Sequence, residues 1–181
     1  MQALTRVANS SSHADRSAID PYSCPNRSWS VEHAGYSARF KALALTMNQK
    51  PVLTLDDVKR MAAASEAEAS KNNWAVSIAI VDDGGHLLWL QRLDGAAPVS
   101  AGIAPGKART AALGRRESRV YEEMINQGRV SFLSAPGIEA LLEGGVPVMV
   151  EGHCVGAIGV SGVKSVEDVQ IAKAGIAALG A

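Results

Sequence analysis

Aromatic side chains are scarce in this chain, at 4% of its 181 residues. Proteins that stack nucleobases rely on such rings, so a base-stacking platform is not its principal surface. Net charge is missing too. The 18 Lys and Arg are matched by 18 Asp and Glu, whereas a nucleic-acid protein needs a basic face to displace phosphate counterions. No apolar run approaches the ~20 residues that span a bilayer, and no apolar segment follows the basic residues near the N-terminus as in a secretory signal. Cysteine is limited to Cys24 and Cys154, in contexts that give neither a disulfide framework nor a metal-binding pair. The expectation is a cytoplasmic protein without nucleic-acid or membrane partners. There is also no G-x-S-x-G, no P-loop, no G-x-G-x-x-G opening a βαβ unit and no HExxH or CxxC spacing.

What is present is the composition of one ordinary globular domain, 47% hydrophobic and 20% charged. It is unevenly distributed. Residues 1–50 are polar and Ser-rich and sustain neither a helical nor a strand period. Such a segment buries too little apolar surface to offset its ordering entropy, so it reads as a poorly ordered N-terminal extension. Ala38 to Leu45 carries at most a turn or two of helix, and His13, Trp29, His33 and Tyr36 read as solvated tail residues. Residues 51–181 form the domain.

Within the domain, Thr54 is a natural N-cap followed by Asp56 and Asp57. Leu55, Val58, Met61, Ala62, Ser65 and Ala69 then recur at helical spacing. Trp74 to Val81 and His86 to Leu93 read as strands around an Asp82-Asp83-Gly84-Gly85 turn, a β-hairpin. Ala96 to Pro105 reads as a loop of small residues, and Gly106 to Gly114 and Glu117 to Gln127 as helices. Arg129 to Gly145 is mostly loop, with a short strand or turn near Ile138 to Leu142. Val146 to Val150 and Cys154 to Val160 make a second valine-rich hairpin around Glu151-Gly152-His153. Gly156 and Gly159 inside its second strand call for something packed close to the backbone: a helix, a neighbouring subunit or a flat ligand. A last helix starts at Ser165, with Glu167 and Asp168 in its first turn and Val166, Val169, Ala172, Ile176 and Leu179 as its apolar positions. Two hairpins framed by helices specify an α+β fold around one antiparallel sheet.

Few residues here suit chemistry. His86 stands at the end of a tight turn, where a neutral imidazole can ligate a metal or haem iron, act as acid or base, or simply hydrogen-bond the turn. His153 holds the corresponding place in the second hairpin and suits a solvent-facing turn residue. Lys107, Arg109 and Thr110 lie on one short helix, with Arg115, Arg116 and Arg119 close behind. Lys107 and Thr110 are three apart and share a face that can hold carboxylates such as haem propionates, or form a solvated basic face. Asp82, Asp83, Asp94, Glu167 and Asp168 are explained by turns and caps. Cys154 reads as a small buried hydrophobe.

Several motifs in register carry a resemblance. They are Val81-Asp82-Asp83-Gly84-Gly85-His86, Arg92-Leu93-Asp94-Gly95, Lys107-Ala108-Arg109-Thr110-Ala111, Gly144-Gly145-Val146-Pro147, Val155 to Gly162, and Glu167-Asp168 leading to Ala174-Gly175. From about Pro51 to Ala181 the chain resembles the GlcG/HbpS-like, or haem-degrading domain, family, which includes the C-terminal domain of PduO. The resemblance implies a profilin-like fold with an antiparallel five-stranded sheet flanked by helices, assembly as a homo-oligomer, and binding of haem or iron, with haem degradation in some members. It makes His86 the candidate iron ligand, Lys107 and Thr110 a haem-side wall, and Lys107, Arg109 or Arg115 the propionate partners. The other functions it implies are an enzyme or accessory factor that binds a small anionic metabolite in a catabolic pathway, and a structural assembly protein without a ligand. The polar N-terminal stretch departs from the family.

Overall fold

The structure is a computed structural model that describes residues 49–180. The readings placed on the tail, namely the Ala38 to Leu45 helix, its histidines and aromatics, and Cys24, lie outside the described residues.

Helix α1 (Leu55–Lys71) starts where the sequence puts it. The Thr54 hydroxyl accepts from the Asp57 N–H, while the Asp57 carboxylate accepts from the Thr54 N–H. Donation to the Asp57 carboxylate from the Thr54 hydroxyl and the Thr54 N–H, with Arg60 beside them, holds that carboxyl down at about 2. The helix buries Val58, Met61, Ala62, Ser65 and Ala69, whereas Leu55 points to solvent. Strands β1 (Ser77–Asp82) and β2 (Leu87–Arg92) form the first hairpin, and β3 (Gly145–Val150) and β4 (His153–Ser161) the second. The hairpins join through an antiparallel β1–β4 pair, so the sheet runs β2-β1-β4-β3 with β1 and β4 inside.

Among the described residues the sheet therefore has four strands, not the five implied by the resemblance. The Ile138 to Leu142 stretch that offered a further strand is a turn in which Ala140 adopts a left-handed φ of 46°. Val130–Ser134, read as loop, is a 3-10 turn.

Each face of the sheet packs differently. On one side α1 and α4 (Ser165–Ala177) cover Ile78, Ile80, Ile158 and Val160, the large aliphatic core. On the other, α2 (Ser100–Gly114) lies on Ala79, Val81 and Ala157 through its own Ala104, Ala108, Ala111 and Ala112. Small residues on both surfaces let this helix approach the sheet closely. The close neighbour required by Gly159 is thus a helix. A Cβ there would come within 2.2 Å of the Ala104 oxygen and 2.4 Å of the Ala108 nitrogen.

Helix α2 begins at Ser100, six residues before the point suggested by sequence, and it carries Pro105 inside. Proline normally interrupts a helix by removing one N–H. Here the buried alanine face supplies tertiary packing that propensity does not see. Helix α3 (Arg119–Asn126) follows as expected. No helix among the described residues is long and apolar enough to cross a membrane.

Candidate functional site

The first hairpin turn positions His86. The Asp82 backbone N–H donates to the His86 carbonyl at 2.9 Å, and Gly85 N–H to the Asp82 carbonyl at 3.0 Å, closing the turn. Asp82 Oδ1 accepts from the N–H groups of Gly84 (2.9 Å) and His86 (2.8 Å). The same carboxylate faces the imidazole, with Nδ1 at 3.2 and 3.1 Å from its two oxygens. The ring lies across Gly84, where a Cβ would sit 2.8 Å from Cε1 and 2.9 Å from Nδ1. A glycine is therefore needed for this ring position. Partial burial opposes ionisation of Asp82, but the bonds from the His86 backbone and imidazole and the Gly84 N–H draw its carboxyl below the ordinary range. An ionised Asp82 favours the tautomer with a proton on Nδ1, which leaves the Nε2 lone pair directed away from the turn. His86 is 77% exposed, so that nitrogen is open to a ligand.

Helix α2 provides the opposite wall. Val81, Gly85, His86, Leu87, Gly102, Pro105, Gly106, Arg109 and Glu139 line a cleft of about 320 Å³. Arg109 Nε donates to the Gly137 carbonyl at 2.9 Å, fixing the side chain while its terminal nitrogens remain for a ligand. The result is a cleft lined by glycines and by Val81, Leu87 and Pro105 that also presents an imidazole and a guanidinium. Glu139 is the acidic member. A larger hollow of about 530 Å³ lies between α3 and residues 138–142, but its charged groups are Glu122 and Glu139, which suit an anion poorly.

The remaining sequence candidates go elsewhere. Lys107 is 4% exposed, and its Nζ donates to Asp168 Oδ2 at 2.8 Å and the Val160 carbonyl at 3.0 Å. It ties α2 to α4 and does not line the cleft. Thr110 is buried, bonded through its hydroxyl to the Glu139 carbonyl and N–H, so it braces the loop that carries Glu139. Arg115 ends α2 in a left-handed conformation (φ 52°) on the surface, one and two-thirds turns beyond Arg109 and outside the cleft lining. His153 is exposed at the start of β4. Cys154 is buried with its thiol pushed up by desolvation, as a structural cysteine should be. The residues that sequence reading passed over are Asp82 as the partner of His86, and Pro105 with Gly102 as the far wall. Asp82 was detectable from its i, i+4 spacing across a glycine turn. The wall was hidden by reading Ala96 to Pro105 as loop.

Residues 53–177 match the family described as haem degrading protein HbpS-like. The chain is similar to protein GlcG of Escherichia coli K12, 56% identical over 115 residues that span 64% of this chain and 85% of that protein. Its fold resembles a double mutant of Streptomyces reticuli HbpS, with a TM-score of 0.69 at 35% identity, covering 75% of this chain and 92% of that one. It also resembles a PduOC:heme complex, with a TM-score of 0.65 at 25% identity, covering 71% and 95%. An α+β fold with a helix-covered antiparallel sheet, and a match over most of the described residues, place the chain in the HbpS-like family.

Proposed function

We propose that this protein binds haem in the cleft between the first hairpin and α2. The observation that carries the reading is the Asp82-oriented, exposed His86 in a cleft that also presents Arg109. His86 Nε2 would hold the iron and the terminal nitrogens of Arg109 a propionate, with Leu87 and Pro105 lining the same cleft. Lys107 drops out of the ligand set because its ammonium is committed to Asp168. Thr110 acts indirectly through the Glu139 loop, and Arg115 is a candidate only for a propionate that reaches beyond the cleft.

The donor set favours haem over bare iron. Among the described residues no three His, Cys, Asp or Glu side chains converge on one point. A porphyrin brings its own nitrogen ligands and asks the protein for one axial donor. Bound haem would supply redox chemistry at iron, while the protein's part is to hold and orient it. The family description and a neighbour solved with haem support the same reading.

Titrating purified protein with haemin should give a saturable Soret band at one haem per cleft. His86→Ala should shift that band and weaken binding at least ~tenfold, a loss of ~1.4 kcal/mol. A spectrum that the mutation leaves unchanged would retire His86 as the ligand. Decay of the band with a reductant and oxygen, accompanied by iron release, reads the degrading activity in the same cuvette.

A smaller anion fits the cleft as well, since Arg109 faces a volume of only about 320 Å³. This second reading, a small-carboxylate site, predicts thermal stabilisation by such acids that is lost in Arg109→Gln.

A further inference from the structure

The larger hollow of about 530 Å³ between α3 and residues 138–142 shares only Glu139 with the His86 cleft. Its volume lies within the range of small-molecule sites. Ile125, Leu133, Ile138, Leu141 and Leu142 supply its apolar wall. Leu133 and Leu142 are 69% and 43% exposed, so this surface is open to an occupant. The wall is also fastened from behind. The Thr110 hydroxyl bonds to the Glu139 carbonyl and N–H, the Ser118 hydroxyl donates to the Leu142 carbonyl, and the Glu143 N–H donates to Glu122. A segment without regular secondary structure is thus held in one shape, and a ligand does not have to order it.

Charge selects the ligand. The charged residues of the lining are Glu122 and Glu139, and it contains no Lys, Arg or His. Glu122 Oε2 accepts from the Glu143 N–H, whereas Oε1 has no partner among the described residues. The Glu139 carboxylate has none either, since its ties to Thr110 run through the backbone. Basic side chains nearby are engaged elsewhere: Arg119 pairs with Glu123 at 2.6 Å, and Arg129 lies 4.6 Å from the centre of the Phe132 ring. Helix α3 ends at Asn126, which lines the hollow with Ile125, so the negative end of its dipole adds to the carboxylates. Among the described residues no third His, Cys, Asp or Glu completes a metal site here. A cation carried on an apolar body answers both the wall and the carboxylates.

We infer that this hollow binds a small organic amine, its ammonium held by Glu122 and Glu139 and its hydrocarbon body by Leu133, Leu141 and Leu142. The test uses the full chain without haem, so it stands apart from the haem reading. Titration with hexylamine, followed through the methyl NMR signals of Ile125, Ile138 and Leu141, should give saturable shifts centred on this hollow. Hexanoate, of the same length and opposite charge, should not saturate, and hexanol should bind at least ~tenfold more weakly. Glu122→Gln keeps an oxygen for the Glu143 N–H while removing the charge, and should weaken hexylamine at least ~tenfold. Glu139→Gln alters an exposed side chain without a bond to lose, so it should weaken the amine with the fold intact. His86→Ala should leave amine binding unchanged. No saturation up to the solubility of the amine, hexanoate or hexanol binding as well as hexylamine, or an affinity indifferent to both glutamate substitutions would each overturn the proposal.

Discussion

Asp168→Ala is expected to destabilise the domain by ~3–5 kcal/mol, because it strands the Lys107 ammonium in the core. The pair is almost dry, with side chains 5% and 2% exposed, and the Nζ–Oδ2 distance is 2.8 Å. Its remaining bonds are also internal: Lys107 to the Val160 carbonyl, and the Val163 N–H to Asp168 Oδ1 at 3.3 Å. Removing one partner leaves the other charged and buried. Replacing both at similar volume, as in Lys107→Met with Asp168→Leu, removes the desolvation cost together with the attraction and should cost much less than either single change. Chemical denaturation of Lys107→Met, Asp168→Leu and the double variant decides this, since a double loss equal to the sum of the two single losses would show that the pair is not coupled.

The pH dependence follows from the same burial. Desolvation pushes the Asp168 carboxyl above its ordinary value more strongly than Lys107 draws it down. A carboxyl with a raised folded pKa binds its proton more tightly in the native state. Its contribution to stability is full below the unfolded pKa and is lost as pH rises through the folded one. The double variant should lack this decline, which begins at the ordinary aspartate range and ends at the raised value.

This ion pair shows where sequence reading stops. Lys107 and Asp168 were each assigned a local role, as anion holder on a helix and as cap of another, because only local spacing is visible along a chain. Their contact joins residues 61 apart. Local signals did carry the fold: the Thr54 cap, the glycine turns and the valine runs produced α1 and both hairpins within a few residues. They erred where packing overrides propensity. Helix α2 runs through Pro105 because an alanine face is buried against the sheet. The candidate site was half legible for the same reason. His86 and Arg109 stood out by residue type, Asp82 was present but credited to the turn, and the cleft between them needed the crossing of α2 over β1.

That crossing rests on Gly159, and Gly159→Ala should therefore be among the most damaging single changes in the domain. The added methyl would meet two backbone atoms of α2, the Ala104 oxygen at 2.2 Å and the Ala108 nitrogen at 2.4 Å, with the Ala108 Cβ at 2.9 Å. Side chains can rotate away, but helix backbone moves only as a body, so α2 must lift from the sheet and open the Ala79, Val81 and Ala157 core. Overpacking of this kind costs ~3 kcal/mol or more. Gly102→Ala on the same helix is the control with the opposite sign. Nothing lies within 4 Å of its added Cβ, and an exposed helix position gains ~0.5–1 kcal/mol from the change. The two substitutions are chemically the same, so a comparable effect on the melting temperature at both sites would show that the close approach of α2 to β4 is not what holds it. With the predicted split, Gly159→Ala should also weaken haemin binding, because lifting α2 carries Pro105 and Arg109 away from His86. Gly102 itself lines the cleft, so Gly102→Ala serves as the control for stability alone.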